Sequence, residues 1–368
     1  MDISTAQSDT PHKILLYTHA LAGGGAERAL ALLASGLTRR GHAVTLATDY
    51  GAAENDCYLD ARVRLVELDA NHAKAVLALT RLLRDERFDI TVSALGASNL
   101  KHTLAACLAG RRRRAVISYH GFFDAEPRFL SRLSFWLTPV TTRIVGRAVA
   151  VSLALRTNLV DVWRADAART IYVQNPVAFG PPAVAPTETA LRAREKIVLA
   201  CGRLNAGKNF VGLLRAFAQV EPQTARLVIL GEGEDRAHIE AEIARLGLGA
   251  RVELPGYVAK PWDWYEKAAC LAVSSLSESF GMVIVEALAH GLPVVSTDCG
   301  GTREVLDNGR IGALVPIGDE DALAAGISRA LADPGDPAPR LQRAQEYSIE
   351  ASVSAYEALF ASMLAGVN

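Results

Sequence analysis

The sequence predicts an α/β protein with two parallel sheets, each covered by helices on both faces. The first observation is a regular alternation of short apolar strands and longer helices, which is typical of doubly wound, Rossmann-like domains. The second is a proline-rich break at residues 179–186, after which the same alternation begins again. The third is the length of 368 residues, which exceeds one ordinary core and favours two domains.

The first half alternates strands and helices up to Val173. Strands are predicted at Lys13–Tyr17, His42–Thr48, Val63–Leu68, Ile90–Ala94, Ala115–Tyr119, Ala148–Val151 and Thr170–Val173. Helices are predicted at Ala26–Arg39, Ala73–Arg87, Asn99–Leu108, Pro127–Leu137 and Leu153–Trp163. This alternation predicts a parallel sheet that is covered on both faces.

The second half repeats the architecture. Strands are predicted at Lys196–Ala200, Arg226–Leu230, Arg251–Leu254, Leu271–Val273, Pro293–Ser296 and Ala313–Val315. Helices are predicted at Phe210–Val220, Asp235–Leu246, Asp263–Lys267 and Gly281–His290, and the acidic run Asp319 to Asp321 is expected to cap another. The predicted boundaries are residues 1–178 and 196–348 for the domains, 179–195 for a linker, and 349–368 for a C-terminal helix that packs on the first domain.

Composition excludes several classes of protein. Half of the residues are hydrophobic and 21% are charged, as in soluble α/β proteins rather than disordered or fibrous ones. The polar residues 1–10 predict a frayed tail rather than a signal peptide, and arginines interrupt the longest apolar candidate, Phe129–Val151. Five cysteines without a C-x-x-C pair, mostly inside apolar segments, indicate buried thiols in a reducing cytoplasm and no metal site.

Positive charge is concentrated in the first half, where residues 1–178 hold 22 Lys and Arg against 16 Asp and Glu. Ten of these arginines lie between Arg111 and Arg164, interleaved with aromatic residues. Such a surface is expected to bind an anionic membrane or another polyanion. The alternative is a solvated face over an ordinary core helix.

Glycine-rich and charged turns follow several predicted strands, where open α/β sheets bind their ligands. Gly23, Gly24 and Gly25 open the first helix and could expose amides to an anion, although a turn without a ligand remains an alternative. They do not form G-x-G-x-x-G, so a nicotinamide cofactor is not favoured. His120 ends a strand of the same domain and could bond a substrate hydroxyl, whereas a structural role is the alternative.

In the second domain, Arg203 and Lys208 follow the first strand. Two cations there can neutralise a diphosphate without a metal, and exposed loop charges are the alternative. Gly231 follows the next strand in a similar turn.

Two acidic residues stand eight apart, with Glu278 in a loop and Glu286 inside an apolar helix. Ser279, Phe280 and Gly281 lie between them and begin the helix, whose free amides attract phosphate. Glu286 would then lie roughly 8–9 Å along the axis, level with a ribose, and Glu278 would face the other side of the diphosphate. The alternative is a solvated pair, but the apolar neighbours of Glu286 leave it little polar face.

Taken together, these segments resemble the retaining glycosyltransferases of the GT-B fold, family 4. The resemblance covers nearly the whole chain and is most specific at the Glu-x7-Glu segment. It is carried by Gly23 to Glu27, His120, Asn175 to Val177, Gly202 to Leu204, Lys208–Asn209, Gly231 to Gly233, Pro255 to Val258 and Glu278 to Val295. Residues 205–207 depart modestly from the pattern, and Phe122–Pro139 has no assignable motif.

The resemblance implies two Rossmann-like domains facing across a cleft and a role for each site residue. Arg203 and Lys208 would hold the donor diphosphate, Glu286 the ribose and Glu278 the transferred sugar. His120 would contact that sugar from the first domain, and the loop Gly23–Gly25 would line the acceptor side and approach the donor phosphates. Retention without a protein nucleophile implies front-face attack, with the leaving phosphate as the base.

The donor implied is a UDP- or GDP-linked hexose or N-acetylhexosamine, with no required metal or other cofactor. The acceptor implied is a lipid-linked or membrane-proximal glycan of a surface polysaccharide or lipopolysaccharide. The enzyme is expected at the inner face of the cytoplasmic membrane, with no nucleic-acid partner. The alternatives are a nucleotide-sugar epimerase and a non-catalytic polyanion-binding protein with Arg111–Arg114 as its footprint.

Overall fold

The computed structural model describes residues 10–51, 54–125, 128–180 and 185–366. Within these ranges the chain forms two compact units, residues 1–176 with 349–368 and residues 177–348. The predicted tail before residue 10 and the prolines at 181–182 of the predicted linker lie outside the described residues.

The first unit contains a seven-stranded parallel sheet in the order β3-β2-β1-β4-β5-β6-β7. Its strands are β1 (Lys13–Thr18), β2 (Ala43–Thr48), β3 (Arg64–Glu67), β4 (Ile90–Ala94), β5 (Ala115–Tyr119), β6 (Arg147–Ala150) and β7 (Thr170–Tyr172). The helices between them are α1 (Gly25–Arg39), α2 (His72–Asp85), α3 (Gly96–Leu108), α4 (Phe129–Trp136), α5 (Thr138–Ile144) and α6 (Leu153–Asp161).

The second unit contains a six-stranded parallel sheet in the order β10-β9-β8-β11-β12-β13. Its strands are β8 (Ile197–Cys201), β9 (Arg226–Leu230), β10 (Val252–Gly256), β11 (Cys270–Val273), β12 (Val294–Thr297) and β13 (Ala313–Val315). Its helices are α7 (Glu188–Arg192), α8 (Phe210–Ala218), α9 (Arg236–Arg245), α10 (Trp262–Lys267), α11 (Met282–Ala289), α12 (Thr302–Val305), α13 (Glu320–Ala332) and α14 (Ala338–Gln345).

The fold class is confirmed, since both sheets are parallel and both reverse their strand order as Rossmann-like sheets do. The reversal lies between β1 and β4 in the first unit and between β8 and β11 in the second. A crevice at the carboxyl ends of these strands is where such sheets hold ligands. The residues that follow β1, β8 and β11 are therefore the ones that bear on function.

The last helix, α15 (Ile349–Ala365), packs on α1 as predicted. The two helices approach closely at Gly36, where a β carbon would stand 2.5 Å from a methyl group of Val353. Tyr356 and Phe360 of α15 join the buried core of the first unit. Burial of each such side chain contributes about 1.5–3 kcal/mol, so the last seventeen-residue helix is part of this core.

Several local features differ from the predictions. The predicted linker includes α7, because Thr187 caps this helix at 3.2 Å from the amide of Ala190 and Leu191 is buried. The predicted helix Pro127–Leu137 is α4, which begins at Phe129, and the α5 helix that follows was not predicted. One feature agrees with the prediction: Asp319 caps α13, since its carboxylate accepts a hydrogen bond from the amide of Ala322 at 2.8 Å.

The cysteines are all free thiols, but they are not uniformly buried as expected. Cys270 and Cys299 are buried, whereas Cys57 and Cys107 are exposed. Cys57 lies in a short 3-10 helix and Cys107 near the end of α3. An apolar sequence neighbourhood therefore did not place these two side chains in the core.

Candidate functional site

The loops after β8 and β11 of the second unit are bound to each other by backbone and side-chain hydrogen bonds. The amide of Leu276 donates to the carbonyl of Gly207 at 2.8 Å, and the hydroxyl of Ser274 donates to the carbonyl of Lys208 at 2.8 Å. Asn205 accepts from the amide of Lys208 at 3.2 Å. Two loops that are far apart in sequence thus form one edge of the site.

Lys208 and Glu278 form an ion pair at this edge. Their side chains are 25% and 14% exposed, so the pair is partly shielded from solvent and still accessible. Lys208, which is predicted to bind the diphosphate, is therefore in direct contact with Glu278, which is predicted to bind the sugar. This arrangement suits a molecule in which a phosphate is joined to a sugar ring that carries hydroxyl groups.

Arg203 lies in the same loop as Lys208 and is exposed. Within the described part of the chain, its guanidinium has no ion-pair or hydrogen-bond partner. A second cation is thus available to an anionic ligand at the carboxyl end of β8.

Gly231 is required by a close backbone approach. A β carbon at this position would lie 1.9 Å from the carbonyl oxygen of Gly202. The turns after β8 and β9 therefore pack directly against each other, and a side chain at Gly231 would separate them. This packing is the physical reason for the glycine that the sequence places at this strand end.

The segment Ser279–Phe280–Gly281 forms the entry to α11. Gly281 precedes the helix with a φ of 93°, a left-handed conformation that favours glycine. Phe280 is buried and packs edge-on against Tyr347 with ring centroids 5.4 Å apart. The amide of Gly301 donates to the carbonyl of Glu278 at 2.7 Å, so the loop before the helix is fixed at both ends.

Glu286 lies inside α11 and is 1% exposed. Its carboxylate accepts a hydrogen bond of 2.7 Å from the hydroxyl of Tyr265 on α10. His290 donates from Nδ1 to the backbone carbonyl of Glu286 at 2.8 Å and stacks on the ring of Tyr265, with centroids 5.3 Å apart. Neither residue was predicted as a site residue: Tyr265 lies outside the segments that carry the resemblance, and His290 lies inside the segment Glu278 to Val295 but was given no role.

The remaining predicted residues lie in the first unit. Gly23 and Gly25 flank Gly24, which precedes α1. The side chain of Glu27 folds back so that its carboxylate lies against Gly24. A carboxylate at the start of a helix is stabilised by the free amides there, so an incoming anion would have to displace it.

His120 follows β5 and bonds Ser118 through Nε2 at 2.7 Å. Burial lowers the pKa of His120 to about 4, so this imidazole is neutral at physiological pH.

A polar cluster at the ends of β1 and β2 was missed by the sequence analysis. Asp49 is buried and accepts hydrogen bonds from Tyr17 at 2.8 Å, from His19 at 2.8 Å and from Lys101. His19 and Asp49 each follow a correctly predicted strand, so the strand-end rule could have identified them. They lack a recognisable motif, since Lys101 is 52 residues from Asp49.

His72 at the start of α2 completes this cluster, and its imidazole, that of His19 and the carboxylate of Asp49 offer three ligand atoms within 4.8 Å of one another. The ammonium of Lys101 contacts the same Asp49 oxygen as His19. A metal ion there would be repelled by that ammonium. The cluster therefore does not fit a cation site.

The chain matches two family models, which together account for most of its length. The model described as "Glycosyltransferase Family 4" matches residues 23–179, and the model described as "Glycosyl transferases group 1" matches residues 185–350. The chain belongs to the family 4, group 1 glycosyltransferases. It is thus a retaining glycosyltransferase, as the resemblance implied.

Two relatives come from Campylobacter jejuni. One is N-acetylgalactosamine-N,N'-diacetylbacillosaminyl-diphospho-undecaprenol 4-alpha-N-acetylgalactosaminyltransferase, which is 36% identical over 141 residues, 38% of each chain. The other is GalNAc-alpha-(1->4)-GalNAc-alpha-(1->3)-diNAcBac-PP-undecaprenol alpha-1,4-N-acetyl-D-galactosaminyltransferase, which is 27% identical over 343 residues, 87% of this chain and 89% of that one.

A solved structure with the same fold is that of HepE from Anabaena in complex with UDP and glucose. It superposes with a TM-score of 0.83 at 21% identity and covers 95% of this chain and all of that one. This likeness confirms the predicted GT-B fold for the glycosyltransferase. Among the described residues, no helix has the length and apolar character that a bilayer span requires.

Proposed function

We propose that this glycosyltransferase moves a hexose or N-acetylhexosamine from a UDP-sugar to a lipid-linked glycan in the synthesis of a cell-surface polysaccharide or lipopolysaccharide. The observation that carries the proposal is the pair Lys208–Glu278 at the strand-order reversal of the second unit. The relatives from Campylobacter jejuni support the acceptor class, because their names specify glycans on diphospho-undecaprenol. HepE, which was solved with UDP, supports uracil rather than guanine as the base of the donor nucleotide.

The donor diphosphate would be held by the cations of the loop after β8 and by the amides at the start of α11. Lys208 and Arg203 would neutralise the negative charge that builds on the phosphate as the bond to the sugar breaks. Charge-assisted hydrogen bonds of this kind contribute about 1.5–3 kcal/mol each. Gly231 and Gly281 keep the backbone close enough for the phosphates to reach these groups.

The two carboxylates would hold the neutral parts of the donor. Glu286 would accept hydrogen bonds from the ribose, in an orientation that Tyr265 fixes. Glu278 would exchange its contact with Lys208 for hydroxyls of the transferred sugar. Ser279 and the backbone of Phe280 would line the same side of the donor, and His120 of the first unit would bond a sugar hydroxyl through its neutral ring.

The reaction proposed is front-face displacement at the anomeric carbon. The bond from that carbon to the phosphate oxygen breaks as the bond to the acceptor oxygen forms on the same face. The hydroxyl proton passes to the leaving phosphate oxygen, so no protein nucleophile is used. Lys208 and Arg203 act by stabilising the departing UDP.

The first unit offers a surface for the membrane that would carry such an acceptor. We define the α4–α5 surface as the exposed Phe129, Trp136, Leu137 and Val140 together with the exposed Arg128, Arg132 and Arg143. Phe129 and Trp136 are 77% and 68% exposed. Aromatic groups beside arginines favour the interface of an anionic bilayer, at about 1 kcal/mol per basic residue. We therefore propose peripheral attachment at the inner face of the cytoplasmic membrane.

The test is a transfer assay with purified protein. UDP-N-acetylgalactosamine, UDP-N-acetylglucosamine, UDP-glucose, UDP-galactose and GDP-mannose are each incubated with a short polyprenyl-diphosphate-linked N-acetylgalactosamine acceptor. The expected result is one α-linked product from a UDP-sugar, identified by mass spectrometry and by its anomeric proton coupling. Formation of a β-linked product, or of no product with any UDP-sugar, would refute the proposal. A donor converted to its epimer without acceptor would instead identify an epimerase.

A further inference from the structure

The cluster at the ends of β1 and β2 combines a buried carboxylate with a partly exposed imidazole. Asp49 uses one oxygen to accept from the hydroxyl of Tyr17, and the other to accept from Nδ1 of His19 and from the ammonium of Lys101. Asp49 is 1% exposed and the side chain of Lys101 is 6% exposed. The carboxylate is therefore saturated by protein groups and holds His19 in one orientation.

The charge on Asp49 determines which nitrogen of His19 carries a proton. Burial alone would raise the pKa of Asp49, but the hydrogen bonds from His19 and Lys101 outweigh it and lower the pKa below its usual value. The group is thus an ionised carboxylate, which can only accept hydrogen bonds. Nδ1 of His19 must then be the donor, which in a neutral imidazole leaves Nε2 as the acceptor.

Nε2 is available to a ligand. The His19 side chain is 21% exposed, and within the described part of the chain Nε2 has no hydrogen-bond partner. The ring of Tyr50 meets that of His19 edge-on at a centroid distance of 4.7 Å, and Tyr50 is 43% exposed. An accepting nitrogen thus stands beside an accessible aromatic ring.

The cluster carries little net charge. The opposite charges of Asp49 and Lys101 cancel in their ion pair. Burial and the positive charge of Lys101 lower the pKa of His72, so its imidazole is neutral at physiological pH. A site of this composition offers hydrogen bonds and an aromatic surface, which suits a neutral polyhydroxylated ring better than a phosphate.

We propose that this cluster is the acceptor-sugar subsite, in which Nε2 of His19 accepts a hydrogen bond from an acceptor hydroxyl and the apolar face of the sugar packs on Tyr50. Asp49 is a positioning residue, because it fixes the tautomer and the orientation of His19. His72 bonds a second hydroxyl of the same ring. This inference rests on the proposed transferase function and assigns residues to its acceptor side.

The first experiment separates binding of the acceptor from binding of the donor. His19→Ala is expected to raise KM for the acceptor about tenfold, the effect of one lost hydrogen bond and its packing, and to leave KM for the UDP-sugar unchanged. His19→Gln, whose Oε1 stands near the position of Nε2, should restore most of the loss, whereas the shorter His19→Asn should not. The matched control is the exposed His238 on α9, for which His238→Ala should change nothing. Equal behaviour of the Gln and Asn variants, or an altered donor KM alone, would overturn the proposal.

The second experiment measures binding directly and does not depend on turnover. Saturation-transfer NMR with methyl glycosides of N-acetylgalactosamine, N-acetylglucosamine, galactose and glucose should give a signal with the wild-type protein that is lost in His19→Ala and retained in His238→Ala. Circular dichroism of each variant verifies folding. Binding of inorganic pyrophosphate or of Mn²⁺ at His19, detected by its imidazole resonances, in place of the glycosides would overturn the subsite.

The two experiments also separate this inference from the proposed function. If glycosides bind at His19 but no UDP-sugar is transferred, the transferase proposal fails and the subsite stands as a sugar-binding site. If transfer occurs and the acceptor KM of His19→Ala equals that of the wild type, the subsite fails and the transferase proposal stands.

Discussion

The hydroxyl of Tyr265 donates a 2.7 Å hydrogen bond to the carboxylate of Glu286, and both side chains are buried. A buried carboxylate on an otherwise apolar helix is costly unless it is hydrogen-bonded. The contact therefore stabilises the second unit and also fixes the carboxylate that we assign to the donor ribose. One residue outside the recognisable motif thus controls a residue inside it.

Tyr265→Phe should lower both stability and donor affinity. Removing one partner of a buried hydrogen bond is expected to reduce the free energy of unfolding by about 1–3 kcal/mol. The donor KM should rise about tenfold, because Glu286 loses its fixed orientation. Urea denaturation and donor-titration kinetics measure the two effects. A Tyr265→Phe enzyme with unchanged donor KM would argue against the ribose role of Glu286.

Lys208→Met should reduce kcat/KM on the order of 100-fold, as expected for the loss of a cation that stabilises a departing phosphate. The substitution also leaves Glu278 without its ion-pair partner, so a second variant is needed to separate the two effects. In Lys208→Met/Glu278→Gln the uncompensated charge is absent. If Lys208 served only to neutralise Glu278, this double variant would turn over as fast as the single variant Glu278→Gln; we expect it to be slower. The exposed Lys260→Met is the control.

Mild acid should destabilise the first unit through His102. This residue is buried on α3, with Nδ1 3.0 Å from the hydroxyl of Ser93 and Nε2 2.8 Å from that of Thr91. Burial lowers its pKa from 6.5 to about 4. The unfolded chain therefore binds more protons between these values, and stability falls as the pH drops from about 6.5 towards 4.

The expected loss over this window is on the order of 3 kcal/mol for His102. Denaturant unfolding at a series of pH values measures it. In His102→Gln the absolute stability is expected to be lower, but its dependence on pH should be shallower than in the wild type. Parallel pH profiles for the two proteins would contradict the assignment.

The two sheets were predictable from sequence because their strands are continuous apolar runs, and strand ends marked most of the donor-side residues. Glu278, Lys208 and Gly231 stand in loops that such a rule identifies. The contact between Tyr265 and Glu286 was not predictable, because it depends on how α10 packs against α11. The cluster around Asp49 was missed for a related reason: its members come from β1, from the residues that follow β1 and β2, and from α2 and α3, and they meet only in the folded unit.

Membrane binding should depend on the α4–α5 surface more than on Arg111–Arg114. The arginine run precedes β5, with Arg112 to Arg114 in a short 3-10 helix, and lacks exposed aromatic neighbours in its own segment. Phe129→Glu combined with Trp136→Glu should lower partitioning to vesicles of phosphatidylglycerol and phosphatidylethanolamine at least about tenfold, since it removes apolar area and adds charge that the anionic surface repels. Replacing Arg111–Arg114 by Gln should have a smaller effect, and the exposed Leu104→Glu on α3 is the matched control.

Vesicle sedimentation measures each variant, and transfer to a water-soluble acceptor should be unaffected by the Phe129 and Trp136 changes. If the arginine variant lost binding while the aromatic variant kept it, attachment would be electrostatic and centred on the start of β5.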